Sequence, residues 1–169
     1  VVTSDSSEWV RAASLTAAGQ AILTGGPLIP DQIVYAGSFP LVLDAAADAA
    51  AVTAAVASYR AQFGKDPIIT VVPGVVAFGA GADLAAAQTA LATFTDALRV
   101  ARDAGRIGAV RTLDAAQRGF IENWEAESYR KAMAATARAG RMDGKVVVVT
   151  GAAQGFGLGI TTELLTEGA

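Results

Sequence analysis

Three glycines carry the chemistry most legible in this sequence. Gly151, Gly155 and Gly157 stand in a Gly-x-x-x-Gly-x-Gly spacing, directly after the run Val146-Val-Val-Val-Thr150 and directly before a helical pattern that reaches about Glu167. A buried strand, a tight turn and a helix in that order can hold the pyrophosphate of a dinucleotide. Glycine is demanded where the backbone bends sharply, where it approaches phosphate, and where the helix meets the strand. The free N–H groups and the positive end of the helix dipole then hold the anion. A strand before and a helix after distinguish such a loop from a chance run of glycines.

Little other chemistry is open to the chain. It has no cysteine, which removes disulfides, thiolate metal sites and cysteine nucleophiles. It has no histidine either, so the commonest general base and the commonest catalytic zinc ligand are both absent. No metal site is expected, and no catalytic residue is assigned in this chain. The net charge of −3 and pI near 4.9 leave no basic patch for nucleic acid or an anionic membrane. The 53% hydrophobic content is rich in alanine, which favours helices packed on a sheet rather than a membrane span. The longest uncharged stretches, 12–30 and 67–82, both contain Gly and Pro, and neither reads as a spanning helix. No basic n-region followed by an apolar stretch opens the chain, so no secretory signal is visible.

The elements that must position the loop follow from periodicity and punctuation. Asp5-Ser-Ser-Glu8 reads as a helix start for a segment 4–19, and Gly25-Gly26-Pro27 breaks what remains of it. Two short apolar runs, 33–36 and 40–43, read as strands around Gly37-Ser38. Asp44 is read as the cap of a helix to Phe63, with Ala45, Ala49, Val52, Val56, Tyr59 and Phe63 on one face and Gly64 as the stop. Strands are expected at 68–72 and 75–78 around Pro73-Gly74. Asp83 then caps a helix to about 104 whose face is Leu84, Ala87, Leu91, Phe94, Leu98 and Ala101. The order strand, glycine turn, strand, Asp cap, helix occurs at 33–63 and again at 69–104, which reads as a repeated supersecondary unit. A further helix is expected over 114–138, with Phe120, Ile121, Trp124, Ala132 and Met133 as anchors and Glu127–Lys131 as an i,i+4 pair.

The stretch Gly144-Lys-Val-Val-Val-Val-Thr-Gly-Ala-Ala-Gln-Gly-Phe-Gly resembles the start of a short-chain dehydrogenase/reductase domain, with Phe156 where that family more usually has Ile. The resemblance implies that Gly151, Gly155 and Gly157 line the pyrophosphate of NAD or NADP and that Gln154 and Phe156 flank the cofactor. It also implies that the family's catalytic Ser and Tyr-x-x-x-Lys lie downstream of Ala169. Tyr129, with Met133 four residues on and ahead of the cofactor strand, is not that tyrosine. Further upstream, the stretches 28–37, 72–79 and 120–130 resemble the middle of bifunctional class II aldolase/short-chain dehydrogenase proteins of the rhamnulose-1-phosphate aldolase/lactaldehyde dehydrogenase type. Those proteins often have His after the Pro-Asp pair, where this chain has Gln32, so a zinc-binding aldolase site would lie ahead of Val1 or not exist.

The expected fold class is α/β, a small layered α/β connector domain over 1–140. It is followed at 141–169 by the first β-α unit of an incomplete dinucleotide-binding (Rossmann) domain. Strand 146–150 is not expected to form its normal parallel sheet; it would pair with another chain, add to the first sheet's edge, or fray. The resemblance implies a cytoplasmic homo-oligomeric oxidoreductase with a small-molecule substrate, a small aldehyde or alcohol. This 169-residue piece is expected to be inactive alone and to bind no cofactor tightly. The competing readings are a non-catalytic connector or dimerisation module, and a sugar-phosphate-binding module using the 74–81 loop. Against the last, an acidic cap at Asp83 repels phosphate. Glu122, Glu125 and Glu127 read as a solvated charged face, Phe120 and Trp124 as packing residues, and Asp44 and Asp83 as caps.

Overall fold

Pro73-Gly74 turns the chain back on itself to make a hairpin of β3 (Ile69–Val72) and β4 (Val76–Ala80). The Val75 N–H donates to the Val72 carbonyl at 3.0 Å and Gly74 has φ +76°, the type II arrangement in which Pro precedes a left-handed glycine. Register Val71↔Ala77 puts Ile69, Val71 and Ala77 on one face, each at most 1% exposed. The computed structural model describes residues 1–124 and 140–169, and contacts divide the chain into the compact units Val1–Asn123 and Trp124–Ala169.

In the first unit the hairpin sits inside a four-stranded sheet of order β1-β4-β3-β2. β1 (Val2–Asp5) runs antiparallel to β4, and β2 (Leu41–Val42) runs parallel to β3. A parallel neighbour needs a crossover, here α4 (Ala49–Phe63). The long helix α5 (Leu84–Ala104) lies on the buried face with Ala87, Leu91, Phe94, Leu98 and Ala101 inward. Around it pack α1 (Glu8–Leu15), α2 (Ala17–Gly25) and α3 (Pro30–Ala36). Val10, Ile22, Ile69, Val71, Phe94 and Leu98 form the heart of this core. The eight-residue α6 (Ala115–Glu122) closes the first unit, and the second contains α7 (Gly155–Thr166). The described chain is thus mixed α/β, with one small sheet and seven helices. None of these helices is long and apolar enough to cross a membrane.

Several sequence-based expectations are corrected. Residues 33–36, expected as a strand, are helical. Pro30 opens α3 with Asp31 in its first turn, and Ile33 and Ala36, three apart, bury the same side. That removes the repeat of 33–63 in 69–104: the first half is the end of α3 followed by β2 and α4, and the second a hairpin leading to α5. The segment 4–19 is not one helix. Residues 2–5 form the edge strand β1, and the Asp5 carboxylate accepts the Ser7 N–H at 2.8 Å to turn the chain into α1. Thr16 then separates α1 from α2, its hydroxyl donating to the Ala13 carbonyl (2.7 Å) and accepting the Gly19 N–H (3.0 Å). The cap of α4 is Asp48, which accepts the Ala51 N–H at 2.8 Å, while Asp44 holds a preceding turn through the Ala46 N–H. Of the expected α4 face only Tyr59 is buried, so α5 rather than α4 supplies the helical layer. Asp83 caps α5 as expected, accepting the Ala86 N–H at 2.7 Å. α6 starts at the expected Asp114, which forms a reciprocal box with Gln117, but ends at Glu122. The rest of the expected 114–138 helix, with Glu125, Glu127, Tyr129, Lys131, Ala132 and Met133, lies outside the described residues.

Candidate functional site

Residues 146–149 are neither helical nor in a ladder, yet their exposure alternates as in an extended strand. Val146 and Val148 are 97% and 89% exposed, Val147 drops to 41% and Val149 is half-buried. The ends of this segment are fixed against α7. At its start, the Met142 N–H donates to the Glu167 carbonyl at 3.0 Å and the Arg141 N–H donates to the Glu167 carboxylate at 3.1 Å. At its finish, Gly151 lies against Gly157 at the opening turn of α7. The chain therefore runs alongside the helix from its C-terminal end to its N-terminal end and re-enters it through the glycine turn.

Each of the three glycines in that turn is required by the backbone. Gly151 and Gly155 have φ +68° and +58°, where a side-chain-bearing residue costs about 1–2 kcal/mol. Gly157 has an ordinary φ, but a Cβ there would lie 2.2 Å from the Gly151 carbonyl oxygen. Gln154 precedes α7 as its cap residue without a side-chain capping bond, and the first turn contains no acidic residue. N–H groups at a helix start without a side-chain cap, with no carboxylate in that first turn, suit an anion. Gln154 is exposed, and Phe156 is 93% exposed at the mouth of the turn. All five residues expected to touch a cofactor, Gly151, Gln154, Gly155, Phe156 and Gly157, are thus on one turn.

The glycines of 74–81 have a different use. Gly79 lies within β4 and Gly81 just past it, both against α5. A Cβ on Gly79 would fall 2.7 Å from the Ala87 carbonyl oxygen, and one on Gly81 2.5 Å from the Ala87 nitrogen. They permit close packing of helix on strand. Residues 76–80 are strand, not a phosphate-cradling loop.

One polar cluster was not visible in the sequence. The Ser38 hydroxyl donates to Oε1 of Glu122, 84 residues away, and Lys65 Nζ lies 3.5 Å from the same oxygen. Beside them the Tyr59 hydroxyl donates to the Phe39 carbonyl at 2.8 Å. Burial, and secondly the negative charge of Glu122, push the Tyr59 phenol above its ordinary pKa. Nothing local marks these residues, because their proximity depends on how α3, α4 and α6 meet. Among the described residues, no group of carboxylates could hold a metal ion. No family model, curated protein or solved structure matches this chain.

Proposed function

We propose that residues 141–169 are the opening β-α unit of a dinucleotide-binding (Rossmann) domain, with the 151–157 turn embracing the diphosphate of NAD or NADP. In this reading the protein is a cytoplasmic oxidoreductase of the short-chain dehydrogenase type that works as a homo-oligomer. Its substrate is a small aldehyde or alcohol, and residues 1–140 join its dehydrogenase part to an aldolase part. The observation that carries the reading is the triple requirement for glycine: two positive φ angles and one close backbone approach, all within seven residues at a helix start. Such a turn presents main-chain N–H groups where side chains would otherwise block an anion.

NADH titrated into the 169-residue chain and followed by amide chemical shifts tests this. Weak, saturable shifts confined to 150–158 are expected, with no tight binding, and Gly157→Val should abolish them. Unmoved amides in 151–158 at millimolar NADH would remove the cofactor reading. A connector or dimerisation module is the second reading, favoured by the exposure of Val146, Val148, Phe156 and Leu165. It predicts concentration-dependent shifts without NADH.

A further inference from the structure

We infer that the outward face of the sheet is a binding groove for an aliphatic amine, with the alkyl chain along β3 and β4 and the ammonium head at Asp44. A sheet that rests one face on a helical layer ordinarily turns polar side chains to water on the other. Ile69, Val71 and Ala77 share the core with α5. The alternate positions are Thr70 and Val72 on β3 and Val76, Phe78 and Ala80 on β4, with Thr70 opposite Phe78 and Val72 opposite Val76. All five are half-buried, and Thr70 alone among them carries a polar side chain. Val2 of β1, opposite Ala80, continues the apolar strip to the sheet edge.

This strip is the floor of a cavity of about 450 Å³, and Leu43, Ala47 and Val52 of the β2–α4 connection and α4 line it as well. Small-molecule sites are of that size, apolar with a few placed polar groups. β4 has five residues, so at about 3.4 Å per residue the strip is roughly 14 Å long, a length that suits an extended chain. Among the described residues that line the cavity, Asp44 alone is charged. The Leu43 N–H donates to the Val71 carbonyl at 2.9 Å, which fixes Asp44 beside the Val72 end of the strip. One Asp44 carboxylate oxygen accepts the Ala46 N–H at 2.7 Å. Among the described residues no cation pairs with this carboxylate. A lone negative charge at the end of an apolar groove attracts an ammonium head and repels a fatty acid.

Amide shifts of the full chain, titrated at neutral pH with octylamine, octanol and octanoate below their micelle concentrations, test the groove. Octylamine should give saturable shifts at 70, 72, 76, 78 and 80, binding about two- to fivefold more tightly than octanol, the worth of a rim ion pair. Octanoate should bind more weakly than either. Asp44→Asn keeps an oxygen for the Ala46 N–H and should reduce octylamine to the level of octanol. Phe78→Ala should weaken both probes and leave their ratio unchanged. Absence of saturable shifts on this face with octylamine would overturn the groove. Octanoate binding as tightly as octylamine, or a preference for the amine that survives Asp44→Asn, would overturn the role of Asp44. Shifts at the same residues that follow protein concentration before any probe is added would overturn the ligand and give the face to a second copy of the chain.

Discussion

The two units use similar apolar sequences to opposite ends. In the first, Ile69 and Val71 lie at 1% exposure because they share a core cluster with Phe94 and Leu98 of α5. In the second, Val146 and Val148 are almost fully exposed and α7 buries no residue. A run of valines makes a strand core only when a second layer and hydrogen-bonded neighbours are both present. β3 has β2 and β4 on its flanks and a helix on its face. Residues 146–149 have one helix beside them and no ladder partner among the described residues. Mean hydropathy cannot register the difference, since it counts residues and not the surfaces that meet them.

The sharpest way to break this contrast is to excavate the first unit. Phe94 is 1% exposed in the centre of the core, and Phe94→Ala should cost about 3–5 kcal/mol in urea denaturation. Exchange of the 155–166 amides should not change. Loss of α7 protection together with the α5 amides would mean that the two units fold as one.

A smaller effect separates the aromatic flank of the first unit from its centre. Tyr59 is buried and its phenol pKa is raised by that burial and by Glu122. A raised folded-state pKa means that the stabilisation is intact below the unfolded value of 10.0 and is lost as pH rises through the folded value. Thermal stability of the wild-type chain should therefore fall on moving above pH 10. Tyr59→Phe should flatten that fall, at a cost near neutral pH of about 0.5–1.5 kcal/mol for the hydrogen bond to the Phe39 carbonyl. An equal alkaline decline in both proteins would assign it to other groups.

The parts of this fold that could be read in advance are those whose local signals agree. For α5, the Asp83 cap, the steps of three and four from Ala87 to Ala101 and the stop at Gly105 all mark the same helix, and it forms there. The β3–β4 hairpin was legible from β-branched runs around Pro73-Gly74. Where signals conflict, the stronger local one was easily missed. Ile33, Val34 and Tyr35 favour strand, but Pro30 presets the backbone for a helix start and Ile33 and Ala36 find a core on one side. β1 is short and half polar, and only its pairing with β4 makes it a strand. The Ser38–Glu122–Lys65 tie depends on contacts 57 and 84 residues apart, which no periodicity encodes. The glycine turn is the opposite case. Its spacing named three positions, and the backbone at each has a separate steric reason to be glycine.

The least costly substitution is at Val148, and it is measured against its counterpart in the first unit. Val71 and Val148 are chemically identical, but one is 1% exposed and the other 89%. Removing a buried valine side chain's methyls forfeits transfer free energy and leaves a cavity, so Val71→Ala should cost about 2 kcal/mol. The same change at Val148 removes surface already in water, and the expected cost is within about 0.5 kcal/mol. Paired denaturation curves at low protein concentration measure both. A cost at Val148 above about 1 kcal/mol that grows with protein concentration would show this strand face covered by another chain in solution. The same cost without concentration dependence would place a covering layer within the chain itself. Either result would turn the exposed valines from an unpartnered face into half of an interface.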